Sequence, residues 1–448
     1  MRYKRYEKYK DSGIEWIGEV PEGWEIDKLK KSIVSLKNGI WGDEPQNDEN
    51  DIYCIRVADF NRDNFEIEDK EFTIRNFPKE KQREYLLNKG DLLIEKSGGG
   101  EKQPVGFVVR YNLDKKAIYA NFMAKMILDK KYADSNYFKY LHSVIYSKRI
   151  NVRSIKQTTG IQNLDTNYYF QEYVVYPPIN EQIKIANYLD QKTSEIDSLI
   201  QDKEKLISLL EEKRQAIITE AVTKGLNPNV KMKDSGIEWI GEIPEHWEVK
   251  PLKRIFKIVN GGTPNSSRES YWNGEIVWVT PNDLSKLTEV YIKNSERKIT
   301  EDGLYNCSAR IVSRGSIIIS TRAPIGYVAI AGVDLCTNQG CKSLVAIKKA
   351  NPKYFYYWIF SINFYLNALG QGTTFMELSN DNLSMVGLLI PPICEQEEIA
   401  NFLDKKTSEI DSLINDIKQQ IQKLKEYRQS LIFEAVTGKI DLRDITLQ

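Results

Sequence analysis

Two stretches of this chain are repeated letter for letter. Lys10–Glu19 reads KDSGIEWIGE and recurs at Lys233–Glu242, while Lys192–Ile200 reads KTSEIDSLI and recurs at Lys406–Ile414. Between these copies the halves have drifted far apart, so the chain carries two divergent bodies in one constant frame. Other blocks keep the same order. The first arm continues through Pro21, Trp24 and Glu25, and the second through Pro244, Trp247 and Glu248. A strand-like block, Ile52–Asn61, answers to Ile276–Ser285, with a shared acid at Asp59 and Asp283. An expected hairpin runs from Gly90 into Pro104–Val108 and from Gly315 into Pro324–Val328, with a Gly-rich insertion, Ser97–Gln103, in the first copy only. Aromatic helices are expected at Tyr137–Tyr146 and Tyr354–Asn363. Their apolar faces read as core rather than as base-stacking platforms, and Trp16, Trp24, Trp239 and Trp247 read as pins for the arms.

Each half closes with a helical region, opened by Pro177-Pro178 or Pro391-Pro392 and ended at Gly225 or Gly438. Leu189, Ile196, Lys203, Leu210 and Ile217 fall every seven residues, as do Leu403, Ile410, Ile417, Leu424 and Leu431. Leu199 and Leu206 in the first helix, with Leu413 and Tyr427 in the second, are read as the adjoining seam of a coiled coil. Two equal stripes on one chain favour each other over a stranger because tethering raises their effective concentration. A two-fold relation between the halves sets them antiparallel. Ser194 and Asp197 have the spacing of a capping box, so the first helix either restarts there or runs on from about Glu181. The rod is then about 42 Å or about 60 Å long, equivalent to about 12 or about 18 base pairs. The expected fold class is α+β, with two mixed α/β bodies joined by an intramolecular antiparallel coiled coil in a pseudo-two-fold internal repeat. The expected boundaries are 1–176, 177–226, 227–390, 391–438 and a tail, 439–448.

Composition narrows the function. Lys plus Arg and Asp plus Glu both total 63, so no global basic field announces a nucleic-acid partner and any such contact must be local. The five cysteines form no CxxC pair, and no signal segment precedes them; they read as reduced, buried thiols of a cytoplasmic protein. The two histidines, His142 and His246, have no spaced ligand cluster around them, so no metal site is expected. Neither Pro-Pro pair has the flanking Asn or Asp and aromatic of an adenine methyltransferase, and no phosphate-binding loop with its lysine is present. The expectation is a binding protein whose chemistry is done by others.

Polar, glycine-bearing loops recur at matching places: Asn38–Pro45 and Asn260–Ser267, Lys96–Gln103 and Ser320–Ala323, Lys156–Asn163 and Gly370–Thr374. Their side chains are those that read base edges and phosphates, and they differ between copies, as Arg56 against Thr280 and Lys96 against Thr321 do. The candidate DNA-binding residues are Arg56, Lys96, Lys102, Lys156, Gln157 and Asn163 in the first half, and Thr263, Asn282, Thr321, Arg322, Gln371 and Thr373 in the second.

This arrangement resembles the DNA specificity subunits of type I restriction-modification systems. The resemblance rests on the arm at Asp11–Glu25 and its copy at Asp234, the PPxxEQ entries at Pro177 and Pro391, the KTSEIDSLI core, and the EAVT ends at Glu220 and Glu434. It implies two target recognition domains, each reading one half of a split, asymmetric sequence in double-stranded DNA. It further implies that the paired helices bind two modification subunits, which bring S-adenosylmethionine and methylate adenine. Two restriction subunits then add ATP- and Mg-dependent translocation and cleavage, so no cofactor is expected on this chain. The competing reading is a structural coiled-coil scaffold with two protein-binding heads, which predicts no salt-dependent affinity for DNA.

Overall fold

The repeated motifs do mechanical work at equivalent points of the fold. The computed structural model describes residues 4–158, 160–322, 324–370 and 377–445, and it divides into two compact units. Unit 1 comprises Met1–Lys203 and Gln419–Gln448, and unit 2 comprises Glu204–Lys418. Each therefore combines one globular body with a stretch of each of two long helices, Ile179–Lys224 and Ile393–Val436.

The central sheets share one strand order. In unit 1 it is Ile33–Asn38, Met123–Leu128, Leu92–Glu95, Val108–Arg110, Glu66–Ile67 and Phe60–Asn61. Unit 2 repeats it as Phe256–Asn260, Cys341–Ala346, Ile317–Ser320, Val328–Ala331 and Tyr291–Ile292. The expected hairpins are the antiparallel pairs Leu92–Glu95 with Val108–Arg110 and Ile317–Ser320 with Val328–Ala331. Leu92, Leu93 and Ile94, like Ile317, Ile318 and Ile319, are buried on both faces, which is why these strands read as unbroken apolar runs. The shared acids close the turn after the strand-like block: Asp59 accepts from the backbone N–H of Arg56 at 2.7 Å, and Asp283 from that of Thr280 at 2.8 Å.

The aromatic helices, Ser135–Ser147 and Pro352–Ser361, are capped by Asp134 and Asn351 and are core, as expected. They lock each body to the long helices through matching hydrogen bonds. Tyr140 donates to Asp190 at 2.7 Å and lies 3.3 Å from Thr193; Tyr357 donates to Asp404 at 2.8 Å and lies 3.2 Å from Thr407. The glutamine of each PPxxEQ entry reaches back to its own Pro-Pro carbonyl at 2.9 Å, while its oxygen accepts the backbone N–H of Asp134 or Asn351. Tyr137 then donates to the carbonyl of Val436, and Tyr354 to that of Val222, so each body grips the start of one long helix and the end of the other. The arms finish the grip. Gly225 and Gly438 end the helices at φ +73, a conformation only glycine adopts without strain, and they abut Trp247 and Trp24 respectively.

Within each unit the helix stretches run antiparallel. In unit 1 Lys203 donates to Gln420 at 2.7 Å and Arg428 pairs with Asp197 at 2.9 Å; in unit 2 Arg214 pairs with Asp411 at 3.1 Å. Asp197 and Asp411 are the aspartates of the two KTSEIDSLI copies, and each arginine lies seventeen residues beyond the aspartate of its own helix. The sequence repeat thus imposes the same register on both units.

Three expectations are corrected. The seven-residue stripe is as read: Leu189, Ile196, Leu403, Ile410, Ile417 and Leu431 are buried, and Leu210, Ile217 and Leu424 are half-buried. The adjoining seam, however, lies four residues along rather than three. Ile200, Ile414 and Ile421 are buried, whereas Leu199, Leu206, Leu413 and Tyr427 are 44%, 44%, 50% and 47% exposed. Second, the first helix does not restart at Ser194. Thr193 donates to the carbonyl of Leu189 at 2.7 Å inside one continuous helix of 46 residues, roughly 69 Å. Third, Cys394 is exposed and Cys307 half-exposed, so the thiols are not uniformly buried.

Candidate nucleic-acid interface

In unit 1 the loops at Asn38, Lys96 and Asn163, and in unit 2 the described parts of those at Asn260 and Ser320, meet at one end of the sheet strands. The close approach that makes this possible is paid in glycine: a Cβ at Gly39 would lie 2.1 Å from the Ala120 carbonyl oxygen, and one at Gly261 1.9 Å from that of Asn338. Asn38-Gly39 and Asn260-Gly261 therefore lead the chain past the turn between two strands, Ala120–Phe122 in unit 1 and Asn338–Gly340 in unit 2.

Unit 1 brings its candidates together around Lys96. The Lys96 ammonium donates to Asn38 at 2.5 Å, and burial holds its pKa below the usual lysine range. Its neighbour Ser97 donates to Asn163 at 2.5 Å and pairs with it across the sheet. Asn163 pairs in turn with Lys156, whose ammonium lies 2.6 Å from Asp165 and pulls that carboxyl below the usual range. Gln157 and Lys102 are exposed, as is Arg56, which stands at the turn closed by Asp59. Beneath the loop Glu95 is buried against Arg62 at 2.9 Å, and burial raises its pKa in spite of that cation. The half-exposed ring of Trp41 lies against the Arg75 guanidinium at 4.2 Å, and that guanidinium is paired with Glu44.

Unit 2 builds the edge from different groups. Thr263 donates to Gln339, and Asn282 donates to Glu296 at 3.0 Å. Arg322 is partly exposed and is tied to Glu377 through its guanidinium at 3.1 Å and through a backbone bridge. Thr321 corrects an expectation: it is fully buried, with its backbone N–H on the Gly340 carbonyl at 2.8 Å, so its hydroxyl offers nothing to a ligand. Its place in the fold, at the end of the innermost strand, is what buries it. Lys342 is likewise buried, donating to the Leu378 carbonyl at 2.6 Å with its pKa lowered by desolvation. Gln371 and Thr373 lie outside the described residues.

Sequence reasoning missed the strand turn itself. Asn121 and Phe122 are exposed at the centre of the unit 1 edge, and Asn338-Gln339-Gly340 takes their place in unit 2. The available signal was Ala120-Asn121-Phe122 against Asn338-Gln339-Gly340, a three-residue turn at the same place with every side chain changed. The edges thus offer hydrogen-bond donors, acceptors and cations, the groups that meet phosphates and base edges. Among the described residues no cluster of His, Cys, Asp or Glu is placed to hold a metal.

Comparison with known proteins agrees with this geometry. A family profile described as the type I restriction modification DNA specificity domain matches residues 244–423. The type I restriction enzyme MjaIX specificity subunit of Methanocaldococcus jannaschii is 40% identical over 183 residues, which is 40% of this chain and 41% of that protein. The chain therefore spans less than half the length of that relative. A putative MjaX specificity subunit of the same organism is 26% identical over 99% of both chains. The fold matches a chain from a type I R-M system solved for its complex assembly and conformational transition, with a TM-score of 0.72, 16% identity, and coverage of 93% of this chain and 98% of that one. In its doubled frame, its matched specificity domain and its full-length likeness, the chain is similar to the DNA specificity subunits of type I restriction-modification systems.

Proposed function

We propose that each unit reads one half of a bipartite, asymmetric DNA sequence, and that the chain itself performs no catalysis. The observation that carries this is the contrast inside each unit: the tyrosine, aspartate, threonine and glutamine contacts that hold each body to the helices recur at equivalent positions, while the edge above the sheet changes its side chains. A reader of two different half-sites needs that combination. The alternative, a scaffold with two protein-binding heads, gives no reason for cations and amides to be gathered at equivalent edges. Both long helices pass from one unit into the other, which makes helix length a parameter of the half-site spacing. Their outward faces, which include Leu199, Leu206 and Leu413, are the surface we assign to the modification subunits. S-adenosylmethionine, ATP and Mg then belong to modification and restriction partners, and the reading places the complex with DNA in the cytoplasm. No helix among the described residues is long and apolar enough to cross a membrane.

The test is selection of bound duplexes from a randomised pool by the chain assembled with its methyltransferase partner. Two short motifs at a fixed gap are expected. Lengthening both helices by seven residues keeps the seam in phase, adds about 10 Å, and is expected to shift the gap by up to about three base pairs. A single motif, or binding by charge alone, would contradict the proposal.

A further inference from the structure

The exposed ring of Phe122 is out of character with its surroundings. Phe122 is 56% exposed and sits in the turn that leads into the strand Met123–Leu128. Its carbonyl accepts the backbone N–H of Lys96 at 2.8 Å and of Ser97 at 3.1 Å, and Ala120, two residues before it, is bonded to Ile55 at 2.9 Å and to Met123 at 3.2 Å. The turn is therefore fixed to the strand that carries Lys96 and to the hairpin that carries Asn163 and Lys156. A single apolar residue in water is ordinary. One held rigidly at the middle of an edge of cations and amides is a different matter. Major-groove base edges present donors and acceptors with one apolar exception, the C5-methyl of thymine. An aromatic ring among polar readers has that group as its natural counterpart. The other unit supports the contrast: at the matching place Gly340, whose carbonyl accepts the backbone N–H of Thr321 as that of Phe122 accepts that of Lys96, carries no ring, and its neighbour Gln339 is engaged with Thr263, a pair suited to hydrogen-bond readout.

We infer that Phe122 is a specificity-determining residue that selects thymine at one position of the half-site read by unit 1, through contact with the C5-methyl group. This rests on the reading of unit 1 as a DNA reader and deepens it.

The experiment uses the full chain assembled with its methyltransferase subunits on its preferred duplex, with each thymine replaced in turn by deoxyuridine, which lacks only the methyl. The wild-type complex is expected to lose about fourfold in affinity at one thymine of that half-site, the worth of one buried methyl-sized group. Phe122→Ala should bind the thymine and uracil duplexes alike there, Phe122→Leu should keep part of the difference, and choice in the other half should not change. Unchanged choice in that other half also shows that the variants fold and assemble. Three results overturn the inference: no thymine in that half is sensitive, Phe122→Ala keeps the full sensitivity, or Phe122→Ala weakens every sequence equally, as loss of a wedge between base steps would do. If the wild-type complex shows no sequence preference at all, it is the reading of the chain as a DNA reader that fails.

Discussion

The two units differ most where they are least constrained by the helices. At the grip, Tyr140, Asp190 and Thr193 are answered by Tyr357, Asp404 and Thr407 with distances that agree within about 0.1 Å. One layer further in, the same aromatic helix has diverged. Lys139 of unit 1 is buried between Glu66 at 3.0 Å and Asp190 at 2.9 Å, where unit 2 has Tyr356; His142 is fully buried on the Tyr169 hydroxyl at 2.7 Å, where unit 2 has Ile359. At the edge of the sheet little but the asparagines and glycines is kept. The lesson is a gradient: the hydroxyl contacts of the aromatic helices to the shared helices are held fixed, the charged and interior groups around them are free to change their chemistry, and the edge is free to change its purpose.

The largest effect that would sharpen this comparison comes from the glycines that let the edge form. Gly39→Ala and Gly261→Ala each push a Cβ against backbone, at 2.1 and 1.9 Å from a carbonyl oxygen, where no side chain can yield. Each should destabilise its own unit by about 3 kcal/mol, read as lost amide-exchange protection in that unit alone. If Gly39→Ala loosens both units equally, they are not separate bodies and the comparison breaks.

Acid should separate the units next. Burial depresses the His142 pKa from 6.5 to about 3, whereas the unfolded chain keeps an ordinary histidine. Because the folded value is the lower one, the unfolded state binds the extra proton first. The stability associated with neutral His142 is complete above about pH 6.5 and is lost as the pH falls toward 3. At pH 5 the penalty is about 2 kcal/mol, and unit 2 has no counterpart because Ile359 does not titrate. Unit 1 should therefore open first in acid, and His142→Ile should remove the difference; equal acid sensitivity of the two units in the wild type would count against this account.

Much of the frame was legible in the sequence because duplication prints every load twice. The hairpins, the aromatic helices as core, the paired long helices and the role of the arm tryptophans all followed from matched blocks and apolar periodicity. The second seam was not legible, because Leu199 and Leu206 are as apolar as Ile200 and Ile207, and a heptad count accepts a neighbour three or four residues along. The deciding residues, Arg214 and Arg428, look like solvent-facing charges until Asp411 and Asp197 are seen opposite them. Ser194 and Asp197 read as a cap because their spacing suits a helix start, and nothing in the sequence shows that the helix runs on through them with the hydroxyl of the adjacent Thr193 on a carbonyl one turn back. The edge was legible only in outline. Loops with polar residues were found, but Thr321 proved to be interior and the exposed turn at Asn121 and Phe122 was passed over, because no local pattern in sequence tells which side of a strand end meets water.

The separateness of the two readers is best tested by base preference itself. With the assembled complex at fixed salt, binding is measured on a panel of duplexes varied in one half-site at a time. Lys102→Ala and Gln157→Ala in unit 1 should alter choice in one half only, and Arg322→Ala in unit 2 in the other half only. A lost base-edge contact is expected to cost about 1 to 3 kcal/mol at one position, and a lost phosphate contact to weaken all sequences alike. A single substitution that relaxes choice equally in both halves would contradict the claim that each unit reads its own.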